Sequence, residues 1–172
     1  MKEAIRVVLV DDQELYREGN ALLLDATDDI VVVGEADTGE KALHAIAEAK
    51  PDIVLMDIRM PGMGGIDATR RIVSAHPDIR VIALTIFDLD EYAFGALDAG
   101  ASAFILKSSS PEALIRTVRI VASGEAVVEP RITRQLIDMY TRRIIPMPET
   151  DSEKEEPRRD IDSLLSLIHI SD

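Results

Sequence analysis

Five short apolar runs punctuate the first 124 residues: AIRVVLV, DIVVVGEA, DIVLMD, RVIALT and SAFILK. They are rich in valine and isoleucine and do not alternate with polar residues, the pattern of strands covered on both faces. Helix-period segments separate them. Ala42, Ala45, Ile46 and Ala49 recur on one helical face in EKALHAIAEAK, as do Ile66, Thr69, Ile72 and Val73 in IDATRRIVSAH. Leu114, Val118 and Val121 mark a further helix that opens at Ser110-Pro111, an N-cap followed by proline at the first helical position. Gly39, Gly100 and Gly124 are expected at turns or just past helix ends. Strict alternation of strand and helix predicts an α/β fold, a doubly wound five-stranded parallel sheet with helices on both faces.

Right-handed crossovers bring the carboxyl ends of all parallel strands to one edge, where sites form near the switch in strand order. Strand 1 runs into Asp11-Asp12, strand 3 into Asp57, strand 4 into Thr85 and strand 5 into Lys107. Strand 2 ends in Glu35-Ala36-Asp37 and reads as an outlying strand. An acidic pair after a strand is, by itself, better explained as a solvated loop start than as a site. The joint placement of three carboxylates, a hydroxyl and an amine on four strand ends is not explained that way. Two like charges about 4 Å apart repel by roughly 4 kcal/mol at an effective dielectric near 20, so positive charge is expected nearby.

Clustered carboxylates without cysteine or histidine suit a hard divalent cation, Mg²⁺ above all, which relieves their repulsion. Such an ion can bridge a nucleophilic carboxylate and an incoming phosphoryl oxygen. A lysine ammonium adds a mobile positive charge for the phosphoryl group, and a threonine hydroxyl can donate a hydrogen bond to it. Asp57 is the expected nucleophile because it ends the central strand and enters the loop MDIRMPGMGG.

Composition narrows the field. The 172 residues contain no cysteine, which excludes a disulfide framework and a cysteine-based zinc site. MKEAIRVVLV does not read as a signal peptide, because Glu3 and Arg6 interrupt it. No apolar stretch reaches the roughly 20 residues of a membrane span, so a cytoplasmic protein with no membrane partner is expected. The formal charge is −13; residues 1–125 hold 12 Lys+Arg against 22 Asp+Glu, and residues 126–172 hold 7 against 10. Lacking a basic stripe, the chain by itself is expected to bind nucleic acid poorly.

VVLVDDQE, DIVLMDIRMPGMGGID, VIALTIFDLDEY and GASAFILKSSSPEAL together resemble the receiver domain of two-component response regulators, in the NarL/FixJ (LuxR-type) branch. The likeness runs in order and spacing over about residues 4–124. It implies the flavodoxin-like receiver fold with strand order 2-1-3-4-5. It also implies that Asp57 accepts phosphate from the phosphohistidine of a sensor histidine kinase. Asp12 and Asp57 would bind Mg²⁺ directly and Asp11 largely through water, with the Arg59 backbone carbonyl completing the protein ligands. Thr85 and Lys107 would hold the phosphoryl oxygens. Phe104 stands at the family's switch-aromatic position, although an aromatic in SAFILK serves equally as core. Beyond transfer to its own aspartate and autodephosphorylation, no enzymatic activity is implied. Homodimerisation on phosphorylation, through the first and last receiver helices, belongs to the same resemblance. Leu22, Leu23, Ile115 and Arg119 are its candidates, and core packing accounts for the leucines as well.

Two departures from the family pattern stand beside the site. Ile86 follows Thr85 where many relatives carry a smaller residue, and its bulk would hinder attacking water and lengthen the phosphorylated lifetime. Ser108 follows Lys107 where many receivers have proline, so a cis-proline cannot set that loop. The competing class is an aspartyl-phosphate phosphatase of the haloacid-dehalogenase type. Its D-x-D motif meets Arg59 two residues after Asp57 here, and the chain lacks a cap domain. A receiver acting as a non-phosphorylated scaffold is the third reading. His44, His76 and His169 are scattered singly, as surface or helix-end residues, and Met56, Met60 and Met63 are expected to pack locally.

After Gly124, the end of the expected receiver domain (1–124), the organisation changes. Pro130 followed by Ile132, Leu136 and Met139 at helical spacing predicts an amphipathic linker helix over 125–145. Residues 146–164 are rich in proline and charge, the pattern of a flexible linker. They run into IDSL at Ile161–Leu164, which looks like the opening of a LuxR-type helix-turn-helix domain. DNA would then be reached only through a C-terminal domain missing from this chain, so as to control transcription. The segment LSLIHI fits nothing upstream, and its codons can spell a transposase-end sequencing adaptor. Residues 165–172 are therefore expected to be a non-native tail, the alternative being an apolar helical turn.

Overall fold

Successive side chains of a strand point to opposite faces, and here both faces find hydrocarbon to meet. The computed structural model describes residues 3–86, 91–124 and 127–128, with the backbone alone at 91–94 and 127–128. Strand and helix alternate as β1 (Ile5–Val10), α1 (Glu14–Asp25), β2 (Ile30–Ala36), α2 (Gly39–Ala49), β3 (Ile53–Asp57) and α3 (Gly65–Ala75). They continue as β4 (Arg80–Thr85), α4 (Glu91–Asp98), β5 (Ala103–Leu106), α5 (Pro111–Ala122) and β6 (Val127–Val128). Every pairing is parallel and the sheet order is β2-β1-β3-β4-β5-β6.

The first five strands keep the expected order 2-1-3-4-5 of the flavodoxin-like fold. A sixth extends the sheet, because Val127 and Val128 pair with Ala103 and Phe104. These two residues were expected to begin a linker helix; β-branched side chains beside an otherwise open edge strand favour pairing instead. The rest of the expected 125–145 helix, the 146–164 linker and the 165–172 tail lie outside the described residues.

The two strand faces feed two cores. Val7, Leu9, Ile53, Leu55, Ile82, Leu84 and Ile105 pack under α1 and α5, against Leu24, Leu114, Val118 and Val121. Val8, Val10, Val54, Met56 and Val81 pack under α2 and α3, against Ala42, Ile46, Ala68 and Ile72. Each fully buried aliphatic side chain contributes roughly 1.5–3 kcal/mol. A one-residue slip would exchange the two faces, so register is tightly specified.

Helix starts follow local chemistry. The Ser110 hydroxyl accepts the Ala113 N–H at 3.1 Å with Pro111 in the first helical position, and Thr38 accepts the Lys41 N–H at 3.1 Å. Gly100 (φ +112°) and Gly124 (φ +99°) follow α4 and α5 in the left-handed region, as expected. Gly39 corrects its expectation by opening α2. A Cβ there would lie 2.6 Å from the Met63 carbonyl oxygen, so close approach of α2 to the loop after β3 explains it. Among the described residues no helix is long and apolar enough to cross a membrane.

Candidate functional site

Three rows of side chains rise through the core beneath α1 and α5 and change character at the carboxyl edge of the sheet. Val7 and Leu9 lead to Asp11, Ile53 and Leu55 lead to Asp57, and Ala103 and Ile105 lead to Lys107. Strand alternation thus aims two carboxylates and an amine into one layer. Their side chains are 3%, 3% and 7% exposed, respectively. Lys107 Nζ lies 2.7 Å from Asp11 Oδ2 and 3.5 Å from Asp57 Oδ2. The shorter contact is an ion pair by proximity and not a directed hydrogen bond. Asp12 is exposed, and one carboxylate oxygen from each of Asp11, Asp12 and Asp57 lies within 4.8 Å of the others.

Backbone donors hold the acids in place. Gln13 N–H donates to Asp11 Oδ1 at 2.8 Å, and Arg59 N–H donates to Asp57 Oδ1 at 3.2 Å. Arg17 braces the same turn, donating from Nη1 to the Asp11 carbonyl at 2.6 Å and from Nε to Glu35 Oε1 at 3.1 Å. Gly65 is pressed against the chain at Asp57, since a Cβ there would stand 2.1 Å from the Asp57 carbonyl oxygen. On the next strand Thr85 is 1% exposed, and its hydroxyl has no hydrogen-bond partner among the described residues. Its carbonyl accepts the Lys107 N–H at 2.6 Å, tying the ends of β4 and β5 together.

Burial and the neighbouring Asp11 charge push the Asp57 carboxyl up to about 7, against the pull of Lys107. A hydrogen bond with Asp12 raises it further, and the Arg59 N–H lowers it. Among the described residues, one ammonium, paired with Asp11 and Asp57, faces this cluster of three acids. An all-oxygen, acidic donor set of this kind fits a hard divalent cation such as Mg²⁺, which would pull the Asp57 carboxyl back towards ionisation.

The predicted residues thus divide clearly. Asp11, Asp12, Asp57 and Lys107 come together, Thr85 ends the strand beside Asp57, and Arg59 touches Asp57 through its N–H. Phe104 is fully buried in β5, and Ile86 is half exposed after Thr85. Leu22 is 76% exposed on α1, whereas Leu23 and Ile115 pack against the core. Arg119 forms a two-pronged pair with Asp29 at 2.8 and 2.9 Å. Met56, Met60 and Met63 pack under α2 and α3. His44 faces Glu48 on the surface, His76 ends α3, and His169 lies outside the described residues.

Sequence reasoning missed Gln13, Tyr16, Arg17 and Gly65. Their only signal was position: the first three fall within the turn that follows Asp12, and Gly65 closes a loop that follows Asp57.

The family profile described as "Response regulator receiver domain" matches residues 7–119. Response regulator GacA of Pseudomonas viridiflava is 42% identical over 132 residues, covering 77% of this chain and 62% of that protein. Transcriptional regulatory protein DegU of Brevibacillus brevis is 37% identical over 150 residues, covering 87% of this chain and 63% of that protein. The chain spans about three fifths of the length of these relatives. A LuxR-family two-component response regulator from Aurantimonas sp. has a similar structure, with TM-score 0.75 and 33% identity. That match covers 81% of this chain and 99% of the other.

Proposed function

The chain belongs to the response regulator receiver domain family, and from that premise we propose that Asp57 takes a phosphoryl group from the phosphohistidine of a sensor histidine kinase. The observation that carries this reading is the setting of Asp57, a buried carboxylate at the end of β3 with Lys107 Nζ at 3.5 Å. An Asp57 oxygen bonds to phosphorus as the P–N bond to the imidazole breaks. The imidazole leaves with the bonding pair and takes up a proton. Asp11, Asp12, Asp57 and the Arg59 carbonyl would hold Mg²⁺, which when bound neutralises charge on the carboxylates and phosphoryl oxygens.

Lys107 pairs with a phosphoryl oxygen in exchange for its carboxylate partners. The Thr85 hydroxyl donates to another, and among the described residues it breaks no existing hydrogen bond to do so. Because Lys107 N–H is bonded to the Thr85 carbonyl, the two strand ends move together. Phe104, on the strand that leads into Lys107, reports that shift to the outer face. Receivers of this family are signal transducers, and the output proposed here is dimerisation and transcription control. Dimerisation would use α1 and α5, and DNA would be reached through a C-terminal domain like that of the LuxR-type relatives. A cytoplasmic setting follows from the same reading.

The test is treatment with acetyl phosphate, with and without Mg²⁺. One acid-stable, base-labile phosphate per chain, formed only with Mg²⁺, supports the reading. Continuous turnover without accumulation would instead indicate an enzyme, and a folded protein that takes no phosphate would indicate a scaffold.

A further inference from the structure

Lys107 makes two contacts that neither the metal nor the phosphoryl group needs. Its Nζ donates to Gln13 Oε1 at 3.0 Å and stands 4.6 Å from the centre of the Tyr16 ring. The Tyr16 hydroxyl in turn donates to the Lys107 carbonyl at 3.4 Å. Gln13 and Tyr16 lie one turn apart at the start of α1, so this helix end grips both the head and the backbone of Lys107.

The charged and the neutral contacts behave differently when the site is used. A divalent cation and Asp57 phosphorylation both compete for the Asp11 and Asp57 oxygens, and so loosen their hold on the ammonium. The Gln13 amide oxygen and the Tyr16 ring carry no net charge, and nothing in the reaction claims them. A neutral acceptor and an aromatic face can keep a lysine head in place without cancelling the charge it must deliver. A lysine tail has high rotamer entropy, and fixing it in advance favours the productive geometry.

We infer that Gln13 and Tyr16 are positioning residues that hold the Lys107 ammonium at the phosphoacceptor carboxylate while its acidic partners are taken by metal and phosphate. The inference rests on the receiver reading of the site and adds to it the N-cap residue of α1, Gln13, and Tyr16 in its first turn. Neither residue touches the transferred group. Both act through Lys107.

The experiment follows Mg²⁺-dependent phosphorylation by acetyl phosphate, rate against donor concentration, in Gln13→Ala, Tyr16→Leu and Tyr16→Phe. Gln13→Ala and Tyr16→Leu should each lower the apparent second-order rate constant by about three- to tenfold, the scale of one hydrogen bond or one cation–π contact. Tyr16→Phe keeps the ring and should stay within about twofold of the parent. The Mg²⁺ dissociation constant, read by titration without donor, should also change by less than about twofold, since no ligand is lost. In a Lys107→Ala background the same substitutions should have no further effect, because the lysine through which they act is gone.

The Lys107 ε-methylene protons, assigned by their loss in Lys107→Ala, should resonate upfield in the parent and in Tyr16→Phe. They should return to the ordinary lysine position in Tyr16→Leu. An equal slowing in the Lys107→Ala background, or an ordinary ε-methylene shift in the parent, would overturn the inference while leaving phosphorylation of Asp57 intact. A folded parent that takes no phosphate would overturn the functional reading and this inference with it.

Discussion

Lys107 Nζ sits closer to Asp11 than to Asp57, at 2.7 Å against 3.5 Å. The amine that β5 brings to the site is thus held first by the carboxylate next to the expected phosphoacceptor. On the function proposed above, a cation or a phosphoryl group would change that allegiance, and the site can be tested through the same three side chains.

Asp57→Asn keeps the shape and removes the nucleophile, so phosphate incorporation should vanish in a folded protein. Stability supplies a second reading. With the folded carboxyl raised to about 7 and the unfolded one near its ordinary value of 3.8, its stabilising contribution is complete below about 4. That contribution is lost as pH rises through about 7. In EDTA the parent should therefore weaken between pH 5 and pH 8 relative to Asp57→Asn, by on the order of 2 kcal/mol. Urea unfolding at both pH values checks this, and parallel pH profiles would contradict the raised carboxyl.

Asp12 is the exposed member of the acid cluster, so its removal should spare the fold and act on the metal. Asp12→Ala should weaken Mg²⁺ binding by about tenfold, equivalent to about 1.4 kcal/mol. Calorimetric titration of the folded variant measures it. An unchanged affinity would remove Asp12 from the ligand set.

Lys107→Ala should leave Mg²⁺ binding in place and separate phosphorylation from the conformational response, because the lysine's main new contact forms in the modified state. Amide chemical shifts at the ends of β4 and β5, compared with and without beryllofluoride, should move in the parent and stay nearly still in the variant. Matching shifts in both would mean that the response does not pass through the amine.

Gly65→Ala should cost at least about 2 kcal/mol and slow phosphorylation, since its Cβ would stand 2.1 Å from the Asp57 carbonyl oxygen. The nearest atoms it would meet are all backbone of Asp57 and Ile58, which leaves little room to relax. Chemical denaturation together with the acetyl phosphate rate would check it, and a variant equal to the parent in both would show that the loop yields easily.

Much of this architecture could be read from the chain because parallel strands must be buried on both faces. Their continuous valine and isoleucine runs located them, and topology then forced Asp11, Asp57, Thr85 and Lys107 to one edge. The short β6 escaped because two valines carry too little pattern to distinguish a strand from the first turn of a helix. Gly39 and Gly65 escaped for another reason. Their need for glycine comes from backbone approaching out of a different segment, which local sequence does not encode. The grip of Gln13 and Tyr16 on Lys107 joins residues 94 and 91 positions apart, and only the folded sheet brings them within reach.

The rows that end in Asp11, Asp57 and Lys107 make the acid–amine layer the next course above Leu9, Leu55 and Ile105 in the α1–α5 core. Backbone hydrogen bonding fixes the spacing of the strand tips, and those three aliphatic side chains form the floor on which the charged groups stand. Close-packed hydrocarbon passes a change of one methylene to its neighbours instead of absorbing it. Trimming Leu55 thus reaches the Asp57 carboxylate along its own row, whereas trimming Val54 or Met56 spends its effect beneath α2 and α3. In this domain the strength of an ion pair is partly a property of the grease below it.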